Sequence, residues 1–211
     1  MLNRLLTSLA LLPSICFGAT ISHRTADNHL WIENGSLSIM DIERIEKVLH
    51  ANTSIETIHL RDLRGGNPLH ARFVLRGAFA FRQVEVHGAC AAACAYLALT
   101  ARAPVLHGDA TITLGPGALV FSQWLLEPSW QDTQDWIADR LPTVPTAFIK
   151  AVLSSHGAHE RQLVMHPARG RTGLIAVRYC DPAPDKCRLL QYIQPGASRL
   201  VVAPGEGSDR D

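Results

Sequence analysis

The chain has 211 residues, 47% of them hydrophobic and 18% charged, and a formal net charge of +1. That balance suits one globular domain with a small appendage. It argues against a nucleic-acid-binding protein, whose surface would carry a large basic excess.

Residues 1–19, "MLNRLLTSLALLPSICFGA", read as an export signal: Arg4 is the basic start, Leu5 to Leu12 form an apolar run, Pro13 breaks it, and Gly18 and Ala19 offer a cleavage site. The run is far short of the ~20 residues that span a bilayer. Cys16 raises a lipoprotein reading, but the bulky Ile15 before it fits a lipobox poorly. The expectation is a periplasmic or secreted protein with no membrane anchor after cleavage.

"HLWIENGS" predicts a strand ending in an Asn34-Gly35 turn. "SIMDIERIEKVLHAN" predicts a helix: Ser38 and Asp41 form a capping box, and Ile42, Ile45, Val48 and Leu49 share one face. "IETIHL" is a short buried strand, and "RDLRGGNP" a flexible loop through Gly65-Gly66. Asn67 then caps a helix that Pro68 opens, running to about Phe79. "QVEVHG" is a strand, and "ACAAACAYLALTA" a helix apolar nearly all round, hence buried. If "HGACAAACAY" opens that helix, Cys90 and Cys94 lie on one face of its first turns. "PVLHG" and "ATITLG" are short strands.

After about Ser122 the character changes. "EPSWQDTQDWIADRLP" predicts a helix capped by Ser129 with Asp132 as the reciprocal acid, and "PTAFIKAVLSSHG" predicts another. "RQLVMHP", "GLIAVRYC" and "CRLLQYI" are strand-like, and the tail "PGEGSDRD" is polar and frayed. The result is an α/β chain with a mainly parallel sheet. It divides into a signal (1–19), an α/β core (20–122) and C-terminal helices with a β-hairpin appendage (123–211).

Once Cys16 leaves with the signal, Cys90, Cys94, Cys180 and Cys187 remain, an even number for an oxidising compartment. Three pairings are open. The most economical joins Cys90 to Cys94 and Cys180 to Cys187, the second closing the loop of a hairpin. Such small loops contribute only about 2–2.5 kcal/mol each in the loop-entropy picture.

Strand, Gly-Gly loop, helix, strand, Gly-x-Cys and buried helix follow one another in "IHLRDLRGGN" and "HGACAAACAY". Over residues 29 to about 120 this order resembles the Clp protease proteolytic subunit and crotonase-like superfamily. It looks closest to an exported bacterial branch that reads "G-x-C-x-S-A-C-A". The resemblance implies a sheet of ββα units and a serine at the start of a buried helix. It also implies backbone donors from Gly65 and Gly66 as an oxyanion hole, and a histidine base. On this alignment the serine position falls on Ala92 and the histidine position on Gly115, with no match for the acid. Loss of the nucleophile or base of such a triad costs about 10⁶-fold in turnover. The resemblance therefore implies a degenerate member acting as a binding, scaffold or assembly module. It would have no catalytic residues and no cofactor, an unidentified protein or peptide partner, and homo-oligomers as in the superfamily at large.

Other readings compete. Cys90 could be a substitute nucleophile at a helix start, making the chain a periplasmic hydrolase or peptidase; a structural disulfide with Cys94 is favoured. A redox role is weaker, because C-x₃-C is not the usual C-x-x-C. Two cysteines with His87 suggest zinc, but further ligands at recognisable spacing are missing, so no metal is expected. His59, His87 and His107 are candidate bases, the first two more often packed or edge residues. Arg61, Arg64, Arg72, Arg76 and Arg82 crowd the Gly-Gly loop. Of these, Arg64, Arg72 and Arg76 form a candidate anion site, against the plainer reading of a solvated face. Trp124, Trp130 and Trp136 read as packing between the later helices and the core.

Overall fold

Ser38 starts the first helix as its sequence pattern requires. Its hydroxyl accepts from the Asp41 N–H at 3.1 Å, and the Asp41 carboxylate accepts from the Ser38 N–H at 3.0 Å. These bonds satisfy helix-end donors that would otherwise lack partners. Helix α1 (Ile39–Ala51) then buries Ile42, Ile45 and Leu49. The computed structural model describes residues 18–115, 127–154, 161–181, 186–194 and 200–203. The expected signal, the C-terminal tail and Trp124 fall outside these residues or at their edge.

Strands β1 (Thr20–Arg24) and β2 (His29–Leu37) pair antiparallel. Strand β3 (Thr57–Gly66) lies parallel to β2, and β4 (Gln83–Ala91) parallel to β3. Helix α2 (Pro68–Ala80) connects β3 to β4; Asn67 caps it by accepting from the His70 N–H at 3.0 Å, with Pro68 opening the first turn. Helix α3 (Ala93–Thr100) follows β4. The far edge of β4 is shared: β5 (Val105–Leu106) pairs with its first half and β6 (Thr111–Leu114) with its last three residues, both parallel. Helices α4 (Glu127–Arg140) and α5 (Thr146–Leu153) come next. Strands β7 (Gln162–Pro167), β8 (Ile175–Cys180) and β9 (Cys187–Ile193) then extend the sheet from β6 in antiparallel steps. Strand β10 (Val201–Val202) pairs with β5. The fold is mixed α/β with a mostly parallel centre, and the β8–β9 hairpin is closed by Cys180–Cys187. No helix among the described residues is long and apolar enough to cross a membrane.

The two faces of the central strands differ. Leu30 and Ile32, Ile58 and Leu60, and Val84 and Val86 are level with one another across β2, β3 and β4, and all are fully buried in the core with residues of α1, α2 and α3. At about 25 cal/mol per Å² of apolar surface, each contributes roughly 1.5–3 kcal/mol. The alternate positions (His29, Trp31 and Glu33; His59 and Arg61; Glu85 and His87) share the opposite face.

Three predicted boundaries move. Asn34-Gly35 does not end β2: both residues have positive φ (55° and 107°), and the register with β3 slips after Gly35, so the pair makes a bulge within the strand. "RDLRGG" is not a flexible loop but the end of β3, with Gly65 and Gly66 beside Ser36 and Leu37 of β2. Helix α4 begins at Glu127, which places Ser129 inside its first turn rather than at its cap.

Candidate functional site

The sequence places the start of a helix directly after Gly88, but β4 runs on through Ala91. Ala89, Cys90 and Ala91 pair with Thr111, Ile112 and Thr113, and this parallel ladder carries the strand three residues past the glycine. Gly88 has φ +57, and a Cβ there would collide with the Asp62 carboxylate. Asp62 itself has φ 50 and accepts from the Ala89 N–H at 3.1 Å. The irregularity it creates in β3 sets the register beyond Arg61.

The change from strand to helix happens at one residue. Ala92 has φ 52 and ψ −121, a backbone shape that a residue with a Cβ rarely takes and that costs about 1–3 kcal/mol. Cys90 on the strand and Cys94 in the first turn of α3 are joined by a disulfide with their Cα atoms 5.2 Å apart. The two cysteines thus straddle the bend rather than share one helix face. Both are fully buried. This removes them from the zinc set considered from the sequence, and the disulfide holds Cys90 away from nucleophilic chemistry while it is intact. Such sharp strand-to-helix bends present the side chain at their apex, and α/β-hydrolases place a nucleophile at one. Here the apex carries a half-buried methyl group.

The other positions picked out around this bend lie close to it. A Cβ on Gly66 would overlap the Leu37 carbonyl oxygen and come 3.0 Å from the Ala93 Cβ, so this glycine lets the end of β3 approach the start of α3. A Cβ on Gly65 would meet the Ser36 side chain. Gly115 is one residue past β6, on the strand next to the end of β4.

Of the candidate anion-site arginines, Arg72 and Arg76 stand one turn apart on α2, close enough for the Arg76 charge to bear on Arg72. The Arg72 guanidinium lies 4.2 Å above the Trp136 ring and donates to the Thr133 hydroxyl at 3.1 Å, docking α4 onto α2; burial pushes its pKa down. Arg64 and Arg76 are exposed. Arg82 donates to the carbonyls of Ile55 and Ala78, and Arg61 pairs with Glu33 at 3.2 Å. Trp136 packs between Arg72 and Tyr96, as its spacing predicts.

The three candidate histidines are brought together with two residues that sequence reasoning passed over. On the polar face of the sheet, His59 Nδ1 is 3.2 Å from His87 Nε2 and 3.3 Å from Glu85 Oε2. His107 Nε2 is 3.0 Å from the same carboxylate oxygen, and His59 Nε2 is 2.9 Å from His29 Nδ1. The Trp31 ring stacks on His59 with centroids 3.8 Å apart. Burial holds the His59 pKa down to about 4, with Glu85 opposing it and the neighbouring imidazoles assisting. Burial also lowers that of His87, assisted by His107 and Arg61. The signal was present as strand alternation: "HLWIE", "TIHLR" and "VEVHG" each place polar or aromatic side chains at every second residue.

No family model matches the sequence, and no curated protein matches it. Among solved structures, the chain is similar to ClpP1 from Listeria monocytogenes, at 16% identity and a TM-score of 0.46, covering 63% of this chain and 82% of that one. It is also similar to a candidate enoyl-CoA hydratase from Streptomyces coelicolor A3(2), at 13% identity and a TM-score of 0.44, covering 72% of this chain and 65% of that one. Enoyl-CoA hydratase from Bacillus anthracis gives 13% identity and a TM-score of 0.40, covering 65% of this chain and 62% of that one. The chain therefore spans less than two thirds of the length of these two hydratase-type proteins.

Proposed function

We propose that this is an exported chain of ClpP/crotonase-like fold whose reaction centre has no nucleophile, and that it works as a binding, scaffold or assembly module. The observation that carries the reading is the bend at Ala92. A strained apex, braced by the buried Cys90–Cys94 bond and approached by Gly66, presents a methyl group. Gly115, at the position the resemblance gives to the base, has no side chain that could take a proton. Without both proton-handling groups, a serine-hydrolase arrangement is about 10⁶-fold poorer in turnover. The two disulfides suit an oxidising compartment, which supports export. The partner is a protein or peptide, and self-assembly is its simplest form.

Active-site-directed fluorophosphonate and chloromethyl ketone reagents test this on the native, non-reduced chain. The expected intact mass is unchanged. A single stoichiometric adduct on the folded protein overturns the reading.

A further inference from the structure

On the polar face of the central strands, we propose a zinc site made by His59 Nδ1, Glu85 Oε2 and His87 Nε2, with a fourth position open to water. These three atoms lie within 4.8 Å of one another, the only such group of three or more among the described residues. Their separations are 3.2 Å (His59 to His87), 3.3 Å (His59 to Glu85) and 3.8 Å (Glu85 to His87). The point equidistant from three donors so spaced comes within about 2.0 Å of each, the bond length zinc takes with imidazole nitrogen and carboxylate oxygen, but only in the plane of the three atoms. Donors around a tetrahedral zinc stand about 3.3–3.4 Å apart at such bond lengths, so the two His59 separations already fit and the 3.8 Å between Glu85 and His87 closes by roughly 0.4–0.5 Å as the ion rises out of their plane. Two imidazoles and one carboxylate also form a donor set of the borderline kind that zinc prefers.

The supporting contacts point the same way. A histidine bound through Nδ1 carries its proton on Nε2, and His59 Nε2 faces His29 Nδ1 at 2.9 Å, where that proton is donated. The Asp27 carboxylate accepts from the backbone N–H of His29 at 3.2 Å, which fixes the chain at the start of β2. A ligating carboxylate is usually held by a further donor, and His107 Nε2 meets Glu85 Oε2 at 3.0 Å. The backbone fixes all five residues. His59 and Glu85 are register partners on β3 and β4, His87 is two residues along the same face of β4, and His29 comes from β2. The His107 N–H continues the ladder beyond β5 by donating to the Val86 carbonyl at 3.1 Å. His59, His87 and Glu85 keep 6%, 13% and 18% of their side-chain surface exposed, which shelters the donors while leaving a side open to solvent. The site is separate from the bend at Ala92, so it stands whatever that bend does.

The test is equilibrium dialysis of the full chain, stripped with chelator and then exposed to zinc chloride, with bound metal counted after desalting. One zinc per chain is expected. His59→Ala, His87→Ala and Glu85→Gln each weaken binding by more than 100-fold. His29→Ala and His107→Ala weaken it by about 10–100-fold, as for other residues that hold ligands in place. His50→Ala, on an exposed helix turn, leaves it unchanged. Circular dichroism confirms that each variant is folded. Cobalt loading of the unaltered chain adds a readout independent of folding: the intense visible absorption of a four-coordinate ion is expected. Zinc below half an equivalent, equal loss in the His50 variant, or only the weak spectrum of hydrated cobalt would overturn the proposal.

Discussion

Replacing Ala92 with glycine should stabilise the protein, the reverse of what Ala→Gly does in an ordinary helical context. At φ 52 and ψ −121 the alanine holds about 1–3 kcal/mol of backbone strain that glycine does not feel. Against this, glycine adds about 0.4–1 kcal/mol of conformational freedom to the unfolded chain. It also gives up part of the ~0.8 kcal/mol of a buried methyl. The balance is a gain of about 0.5–1 kcal/mol, or roughly 1–4 °C in Tm for a chain of this size. Ala95→Gly, in the first turn of α3 and fully buried, is the matched control. It should lose about 1 kcal/mol of helix propensity and a further ~0.8 for its methyl. Urea unfolding followed by circular dichroism, with both disulfides intact, measures the pair. If Ala92→Gly loses as much stability as Ala95→Gly, the bend carries no strain and the reasoning fails.

Three further predictions test the backbone and the disulfides. Gly66→Ala should cost 2 kcal/mol or more, because φ is +103 and the new Cβ meets the backbone carbonyl of Leu37, which cannot move aside. Gly77→Ala in α2 meets nothing within 4 Å and should gain about 1 kcal/mol in the same unfolding assay. Mild reductant should release two thiols from the native chain and four from the unfolded one, since Cys187 is exposed while Cys90 and Cys94 are wholly buried. Four thiols appearing together under native conditions would contradict that order and favour a redox-active Cys90–Cys94 pair.

Local signals wrote themselves plainly into the sequence. Ser38 and Asp41 announce α1, Asn67-Pro68 announces α2, and the apolar runs of β7, β8 and β9 are strands where the pattern puts them. What escaped depends on pairing between distant segments. Gly88 looks like the end of a strand because glycine usually breaks one; only the ladder with β6 and the Asp62 carboxylate filling its Cβ space carry β4 onward to Ala91. Asn34-Gly35 has the chemistry of a turn, yet β3 beside it converts it into a bulge. The two cysteines of "HGACAAACAY" share a spacing that suits one helix face, and the structure instead puts one on each side of a bend. The histidine cluster was hardest to see. Its members come from four segments, and His59 and His87 alone look like packed strand residues, while His107 lies between two strands. Strand alternation shows that His59, Glu85 and His87 avoid the core face, but not that register brings them level.

The most direct test of the empty bend is covalent. The native, non-reduced chain is incubated with a serine-directed fluorophosphonate and, separately, a cysteine-directed alkylating agent. Each sample is compared by intact mass with chain that has been unfolded and reduced. For the chain from Thr20 onward, without Cys16, the account predicts no adduct on the native form and full cysteine alkylation only after unfolding and reduction. One equivalent of either reagent on the native chain, mapped to residues 87–96 and lost on unfolding before labelling, would show that a reactive group stands where Ala92 is held to present only a methyl.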